Sequence, residues 1–262
     1  MDPIDPSAAL QVVGALSLAA ARAIGCMTFL PAFGRRHMSL VHRNAIAMAV
    51  SLPQAWWLWQ VLPQHPLGFW AYGALALKET ALGCLVGFLL AVPYWTVRSA
   101  CTLIDNQRGA NAAQVQNPSL DADASVLGEL AERALIVYLC QTGMFVLVFE
   151  VLADTYALWP ALEAWPRLSA PMWHGVVQAL AVTASDALVY AAPALLLLIA
   201  IEGGIAIAGM PVKGLDVSQL AMPLKSLAGL MVLALLYLMP WEQLRLELEA
   251  WWRHGLLRML AL

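Results

Sequence analysis

An all-α membrane protein built from helical hairpins is the fold class this sequence predicts, and three observations predict it. Hydrophobic residues make up 61% of the 262 residues and charged residues only 12%, where a water-soluble domain of this length carries about a quarter charged residues. Mean hydropathy is +0.72. The apolar residues fall into about six long continuous runs, not into the ten-residue alternating segments of a membrane β-barrel. The formal net charge of −3 comes with no basic patch or tail, so nothing points to nucleic acid.

A bilayer-crossing helix needs about 20 mostly apolar residues. The runs of that kind are 8–33, 44–62, 69–103, 134–158, 176–210 and 224–240. The N-terminal "MDPIDPSAAL" carries Asp2 and Asp5 and lacks the basic start of a cleaved signal peptide, so the first run is expected to be retained. The third and fifth runs are long enough to bend or to extend past a membrane. Pro53, Pro93 and Pro193 lie inside or near the ends of runs and are expected to kink them. Some runs are therefore expected not to be true spans.

The connections carry orientation. "GRRHMSLVHR" (34–43) holds Arg35, Arg36 and Arg43 and is expected on the cytoplasmic side. Strict alternation then puts 103–125 and 211–226 on that side and the N-terminus outside. "WPALEAWPRLSAPMW" (159–173) has the Trp and Pro content of an interfacial loop. In the tail, 241–262, Glu242, Arg245, Glu249 and Arg253 form a charged stripe, and Leu244, Leu248, Trp251 and Trp252 an apolar one. That amphipathic helix could lie on a membrane, pack on a partner, or be an ordinary terminal helix.

Several ionisable residues sit inside apolar runs: Arg22, Lys78, Glu79, Asp186 and Glu202, with Lys225 at the start of the last run. A charge at a bilayer centre costs about 2.5–3.5 kcal/mol on insertion scales, so these helices are expected to face protein or water. Lys78 and Glu79 are adjacent, point about 100° apart on a helix, and are expected not to pair simply with each other. An ion-pair network fixing helix register, a proton or ion pathway, and contacts with other subunits all remain open. Gly83 and Gly87 form a GxxxG, and Gly203 and Gly204 crowd "EGGIAIAG"; such small residues let helix backbones pack closely.

The stretch "LIDNQRGANAAQVQNPSLDADAS" (103–125) is polar between two apolar runs. Catalysis, a soluble linker and a pore element are its candidate roles. It has no Cys, His or Lys. Asp121, Asp123 and Glu129 lack the glycine and spacing of a calcium loop. Asp105 and Arg108 are expected to pair or cap, and Asp123 or Ser125 to N-cap the next helix. Elsewhere there is no HExxH, GxSxG, Walker A or GxGxxG. Cys26, Cys84, Cys101 and Cys140 make no CxxC and read as small buried thiols. No catalytic, metal or cofactor site is expected, and the chain is not expected to be an enzyme.

Four stretches carry a family likeness: "RAIGCMTFLPAFGRRHMSLVHRNAIAMAVSLP" (22–53), "KETALGCLVGFLLAVPYW" (78–95), "IDNQRGANAAQVQNP" (104–118) and "AMPLKSLAGL" (221–230). In this order and spacing they resemble the SctT/FliR family, an export-gate component of type III secretion systems and flagella, with "MPLKS" leaning toward the injectisome branch. The resemblance spans about residues 10–240. It implies a core subunit of an export channel in the bacterial inner membrane, in an assembly that protrudes toward the periplasm. The implied partners are SctR/FliP-like and SctS/FliQ-like gate subunits and a SctU/FlhB-like switch protein, with membrane lipid around them and unfolded secreted proteins as cargo.

Within one gate domain, 1–262, the resemblance implies that 1–170 corresponds to the larger gate subunit and 171–240 to the small hairpin subunit, followed by the tail. It likens the polar loop to a plug. The matching positions are Asp105, Gln107, Gly109, Asn117 and Pro118, and Asn106, Arg108, Asn111, Gln114 and Gln116 lie among them. "GMPVKGLDVSQLAMPLKS" departs from the family pattern: Lys213-Gly214 stands where Pro-Gln is expected, so contacts of the 211–223 turn are not carried over. Two other readings remain. One is a secondary transporter relaying charge through Arg22, Lys78, Glu79, Asp186 and Glu202, although no repeat is visible. The other is a scaffold with no role at a lumen.

Overall fold

The computed structural model describes residues 6–62, 68–109, 125–163, 170–210, 223–229, 231 and 241–256. Among them every regular element is helical. In chain order these are α1 (Pro6–Phe29), a 3₁₀ turn (Pro31–Phe33), α2 (Leu40–Val61), α3 (Phe69–Arg108), α4 (Val126–Gln141), α5 (Met144–Leu158), α6 (Ala170–Gly209) and α7 (Trp241–Ala250). Residues 223–229 are also helical. Among the described residues three helices are long and apolar enough to cross a membrane, Gln11–Phe29, Trp70–Arg108 and Trp173–Gly209, or four if α4 and α5 make one broken span. The protein is an all-α membrane protein; of its six apolar runs, the last, 224–240, lies mostly outside the described residues.

Local chemistry sets the helix ends. Pro31 follows α1 and starts the 3₁₀ turn. Ser39 caps α2, its side chain accepting from the His42 N–H. Pro53, Pro93 and Pro193 all lie within helices that continue past them. Two expectations are corrected here. The run 134–158 is not one helix: it divides at Thr142–Gly143, where Gly143 adopts φ 73° and the Thr142 hydroxyl turns back to the Tyr138 carbonyl at 3.0 Å. The polar stretch does not begin as a loop either. Asp105, Asn106, Gln107 and Arg108 form the last turn of α3. An Asp105–Arg108 ion pair at i, i+3 and a cation at the helix C-terminus favour that turn, and Gly109 ends it at φ 82°. Asn111, Gln114, Gln116, Asn117 and Pro118 lie outside the described residues.

The chain forms two compact units. The first comprises 1–91, 143–177 and 249–262. Its core joins Ala15, Leu18 and Ala19 of α1 to Ala55 and Leu58 of α2, Leu75 of α3 and Ala161. Of the stretch 159–173, the part 159–163 packs onto this core, with Trp159 and Ala161 buried. Near the other end of α1, Phe33 packs edge-on against Phe145 of α5, with ring centroids 5.8 Å apart. The tail continues from α7 as a π-helical turn, Trp251–Leu256. In this unit Trp252 and Leu256 are buried, and Arg253 pairs with Glu249 at 3.2 Å.

The second unit comprises 92–142 and 178–248. Here Ala187, Ala191, Ala194 and Leu198 make one face of α6, against Ala100, Cys101 and Ile104 of α3, Leu127 of α4 and Ala228. Small residues at i, i+4 and i+7 bring the backbones close. Much of the rest of α6 is open. Only 17% of its span window is buried within the chain, against 50% for α1 and 56% for α3. Leu188, Val189, Leu196, Ile199 and Ile207 are exposed large apolar side chains. An apolar surface of that extent marks contact with lipid or protein.

Candidate functional site: a buried arginine network and a clasped polar segment

In the first unit, three glycines set the geometry of the charges. A Cβ on Gly83 would lie 2.0 Å from the Arg22 carbonyl oxygen, one on Gly87 2.2 Å from that of Cys26, and one on Gly25 2.4 Å from that of Thr80. Only hydrogen allows α1 and α3 to meet backbone to backbone. Glu79, Gly83 and Gly87 follow at i, i+4 and i+8 on one face of α3. The same contact therefore delivers Glu79 to Arg22.

Arg22 and Glu79 are both fully buried. Arg22 Nε donates to Glu79 Oε2 at 2.7 Å and Nη2 to Oε1 at 3.0 Å, the two-pronged pairing that suits guanidinium and carboxylate. Nη1 donates to Thr155 Oγ1 at 3.1 Å and Nη2 to the Trp159 carbonyl at 2.8 Å. Four of the five N–H donors are thus satisfied within the chain. The Tyr156 ring lies 3.8 Å from the guanidinium carbon, a cation–π contact, and its hydroxyl donates to the Ala19 carbonyl at 2.9 Å.

Lys78 corrects a further expectation, since its Nζ lies 2.9 Å from Glu79 Oε1. Adjacent helical residues diverge at Cβ, but the four-carbon lysine stem is long enough to return. The same Nζ donates to the carbonyls of Pro160, Ala161 and Glu163 at 3.2, 2.9 and 2.7 Å. Those bonds fold 159–163 against α3 and surround Glu79 with two cations.

The second unit holds the ends of the polar segment. Asp105 is fully buried. Its Oδ2 accepts from Ser125 Oγ at 2.6 Å and from the Leu127 N–H at 2.9 Å, and its Oδ1 pairs with Arg108 Nε at 2.7 Å. Ser125, the expected N-cap, accepts from the Gly128 N–H at 2.9 Å. Gln107 Nε2 donates to Glu202 Oε2 at 3.5 Å, and Lys225 Nζ reaches the same oxygen at 2.8 Å. Arg98 and Glu132 form a further α3–α4 pair at 3.1 Å.

Of the residues weighed for a relay, Arg22, Lys78 and Glu79 belong to the first unit, while Asp186 and Glu202 belong to the second, where Lys225 pairs with Glu202. Asp186 has no hydrogen bond or ion pair among the described residues. Gly203 and Gly204 are exposed, and a Cβ on either would meet nothing within 4 Å, in contrast to Gly83 and Gly87. Sequence reasoning missed Thr155, Tyr156, Trp159, Arg98 and Glu132. No local pattern signals the first three, and Trp159 takes part through its backbone carbonyl, which carries no sequence signature.

Comparison with known proteins fits this framework. The family model described as bacterial export proteins, family 1, matches residues 13–248, a range that contains both charge clusters. Yop proteins translocation protein T of Yersinia pestis is 29% identical over 218 residues, covering 82% of each chain. Surface presentation of antigens protein SpaR of Salmonella typhimurium is 29% identical over 244 residues, 92% of this chain and 90% of that protein. Flagellar biosynthetic protein FliR of Caulobacter vibrioides is 22% identical over 213 residues, 81% of this chain and 84% of that one. The chain belongs to the bacterial export proteins, family 1, the SctT/FliR export-gate family of type III secretion, in its injectisome branch.

Proposed function

We propose that this chain is a core subunit of the inner-membrane export channel of a type III protein secretion system. In this reading it forms part of the pore and its plug, passes unfolded secreted proteins, and performs no chemistry of its own. The observation that carries the reading is the clasp at Asp105. The carboxylate of Asp105, four residues before Gly109, accepts from Ser125 Oγ and the Leu127 N–H, so the two flanks of the polar segment are tied to each other. A polar run anchored at both ends is suited to stand in a water-filled lumen, because its amides satisfy one another when closed and water when open. Asn111, Gln114, Gln116, Asn117 and Pro118 supply that chemistry in this proposal. Deleting 111–116 is expected to raise ion leakage across the membrane in cells that still assemble the complex. Unchanged leakage with the complex intact defeats the plug.

The open face of α6 supports the partner assignment: SctR/FliP-like and SctS/FliQ-like subunits beside it, a SctU/FlhB-like protein nearby, and lipid over the remainder. In this reading the assembly protrudes toward the periplasm, so part of its apolar surface meets protein. The 1–170 part acts as the larger gate subunit, and 171–240 as the small hairpin. Gly203 and Gly204 then serve as a close-packing patch for a neighbouring subunit, with Asp186 as a polar contact to one. Replacing both glycines with alanine is expected to leave the isolated chain as stable or more so, by about 0.5–1 kcal/mol per glycine from helix propensity. Co-purification with the gate subunits is expected to fall. Full co-purification would remove the patch from the interface.

A further inference from the structure

Three of the four positions in the last turn of α3 reach different neighbours within the second unit. Asp105 binds the start of α4. Gln107 reaches Glu202 of α6, which also holds Lys225. Arg108 returns to Asp105 and lies against residue 229, where a Cβ on Gly229 would come within 3.0 Å of Arg108 Cδ. The contact with α4 has a specific form. The first N–H groups of a helix have no partners inside it. At α4, Ser125 caps the N–H of Gly128 from within, and Asp105 caps that of Leu127 from the preceding helix. Ser125 donates its own hydroxyl proton to the same carboxylate oxygen. The second cap of this helix start is thus supplied by another helix, and its negative charge also sits at the positive end of the α4 dipole.

We propose that Asp105 is a positioning residue, a latch that fixes the C-terminal end of α3 to the N-terminal end of α4 and so sets the resting state of the channel. This inference rests on the plug reading above and adds the device that controls it. The latch is local. Arg98–Glu132, one and two turns away on the same two helices, is a separate bond that holds α3 to α4 without touching either end of the polar segment. Releasing the latch therefore frees the anchor while the helix pair persists.

The test uses the assembled export complex in membranes and compares Asp105→Asn, Ser125→Ala and the control Arg98→Gln. Resting ion leakage, amide hydrogen exchange over 126–130 and secretion are read together. Asp105→Asn and Ser125→Ala are expected to leak while still secreting, with exchange at Leu127 and Gly128 faster by about fivefold, the effect of losing one N-cap. Arg98→Gln is expected to stay tight. A purely structural role moves different readouts, lowering assembly and secretion together. Should Asp105→Asn fail to assemble, Ser125→Ala, which removes one hydroxyl, decides the matter. Leakage from Arg98→Gln equal to that of the latch variants overturns the proposal. So does a leaking 111–116 deletion beside tight latch variants. A deletion that does not leak overturns the plug reading instead.

Discussion

Arg22→Ala is expected to be the most damaging single substitution in the chain. It removes every side-chain bond to the guanidinium at once and leaves Glu79 fully buried with only Lys78 opposite. Breaking a buried ion pair from one side costs about 3–5 kcal/mol; Lys78 still holds Glu79 Oε1, so the loss falls on Oε2, which keeps neither water nor its guanidinium donor. That is a large share of the roughly 5–15 kcal/mol that holds a domain together. The Thr155 hydroxyl and the Trp159 carbonyl lose a donor as well, so 159–163 loosens along with α1. The expected result is a chain that is made but degraded, absent from detergent-extracted complexes on size-exclusion chromatography. The pair is more tractable than the single change. Arg22→Met with Glu79→Met removes both charges and keeps the volume, and such replacements of whole pairs are often neutral or stabilising. Recovery of the folded chain in the double variant, without recovery in either single one, would show that desolvated charge is the cause.

Gly83→Ala is expected to come second. The added methyl carbon would lie 2.0 Å from the Arg22 carbonyl oxygen, a backbone atom of an α-helix with no freedom to rotate aside. The helices must separate, and separation lengthens the Arg22–Glu79 bonds that the contact sets. Overpacking alone costs about 1–3 kcal/mol, and the stretched ion pair adds to it. Gly73, in the same helix, is the control: a Cβ there meets nothing within 4 Å, so Gly73→Ala is expected to be neutral or to stabilise by about 0.5–1 kcal/mol. Thermal unfolding in detergent, followed by helical circular dichroism, separates the two. Equal midpoints for Gly83→Ala and Gly73→Ala would mean that the close approach of α1 and α3 carries no energy.

Much of the framework was legible in the sequence because hydropathy and length act locally. The long runs at 69–103 and 176–210 anticipated α3 and α6 within a few residues at most ends, and four short stretches in order pointed to the family. The charges inside the runs announced that they needed partners. What stayed hidden depended on geometry in three dimensions. The break at Gly143 is marked by one glycine and a threonine that bonds backwards, with no proline to flag it. The helical turn 105–108 looks like loop because Asp and Asn are poor helix formers, and an ion pair and a buried cap offset that. The Lys78–Glu79 contact violates the rule for adjacent positions, which describes Cβ directions and not the reach of a long stem. Thr155, Tyr156 and Trp159 read as an ordinary amphipathic turn, and no local pattern tells that they enclose a guanidinium 133 to 137 residues away.

That separation matters at birth. Glu79 follows Arg22 by 57 residues, which at about 5–20 residues per second is roughly 3 to 11 seconds of translation. Thr155 and Trp159 arrive later still. During this interval α1 has been synthesised but its cation has no counter-ion, and resting in hydrocarbon would cost it several kcal/mol. The nascent first helix is therefore expected to settle more favourably once α3 emerges beside it, a coupling that a pulse-chase insertion assay on chains truncated before and after Glu79 would read.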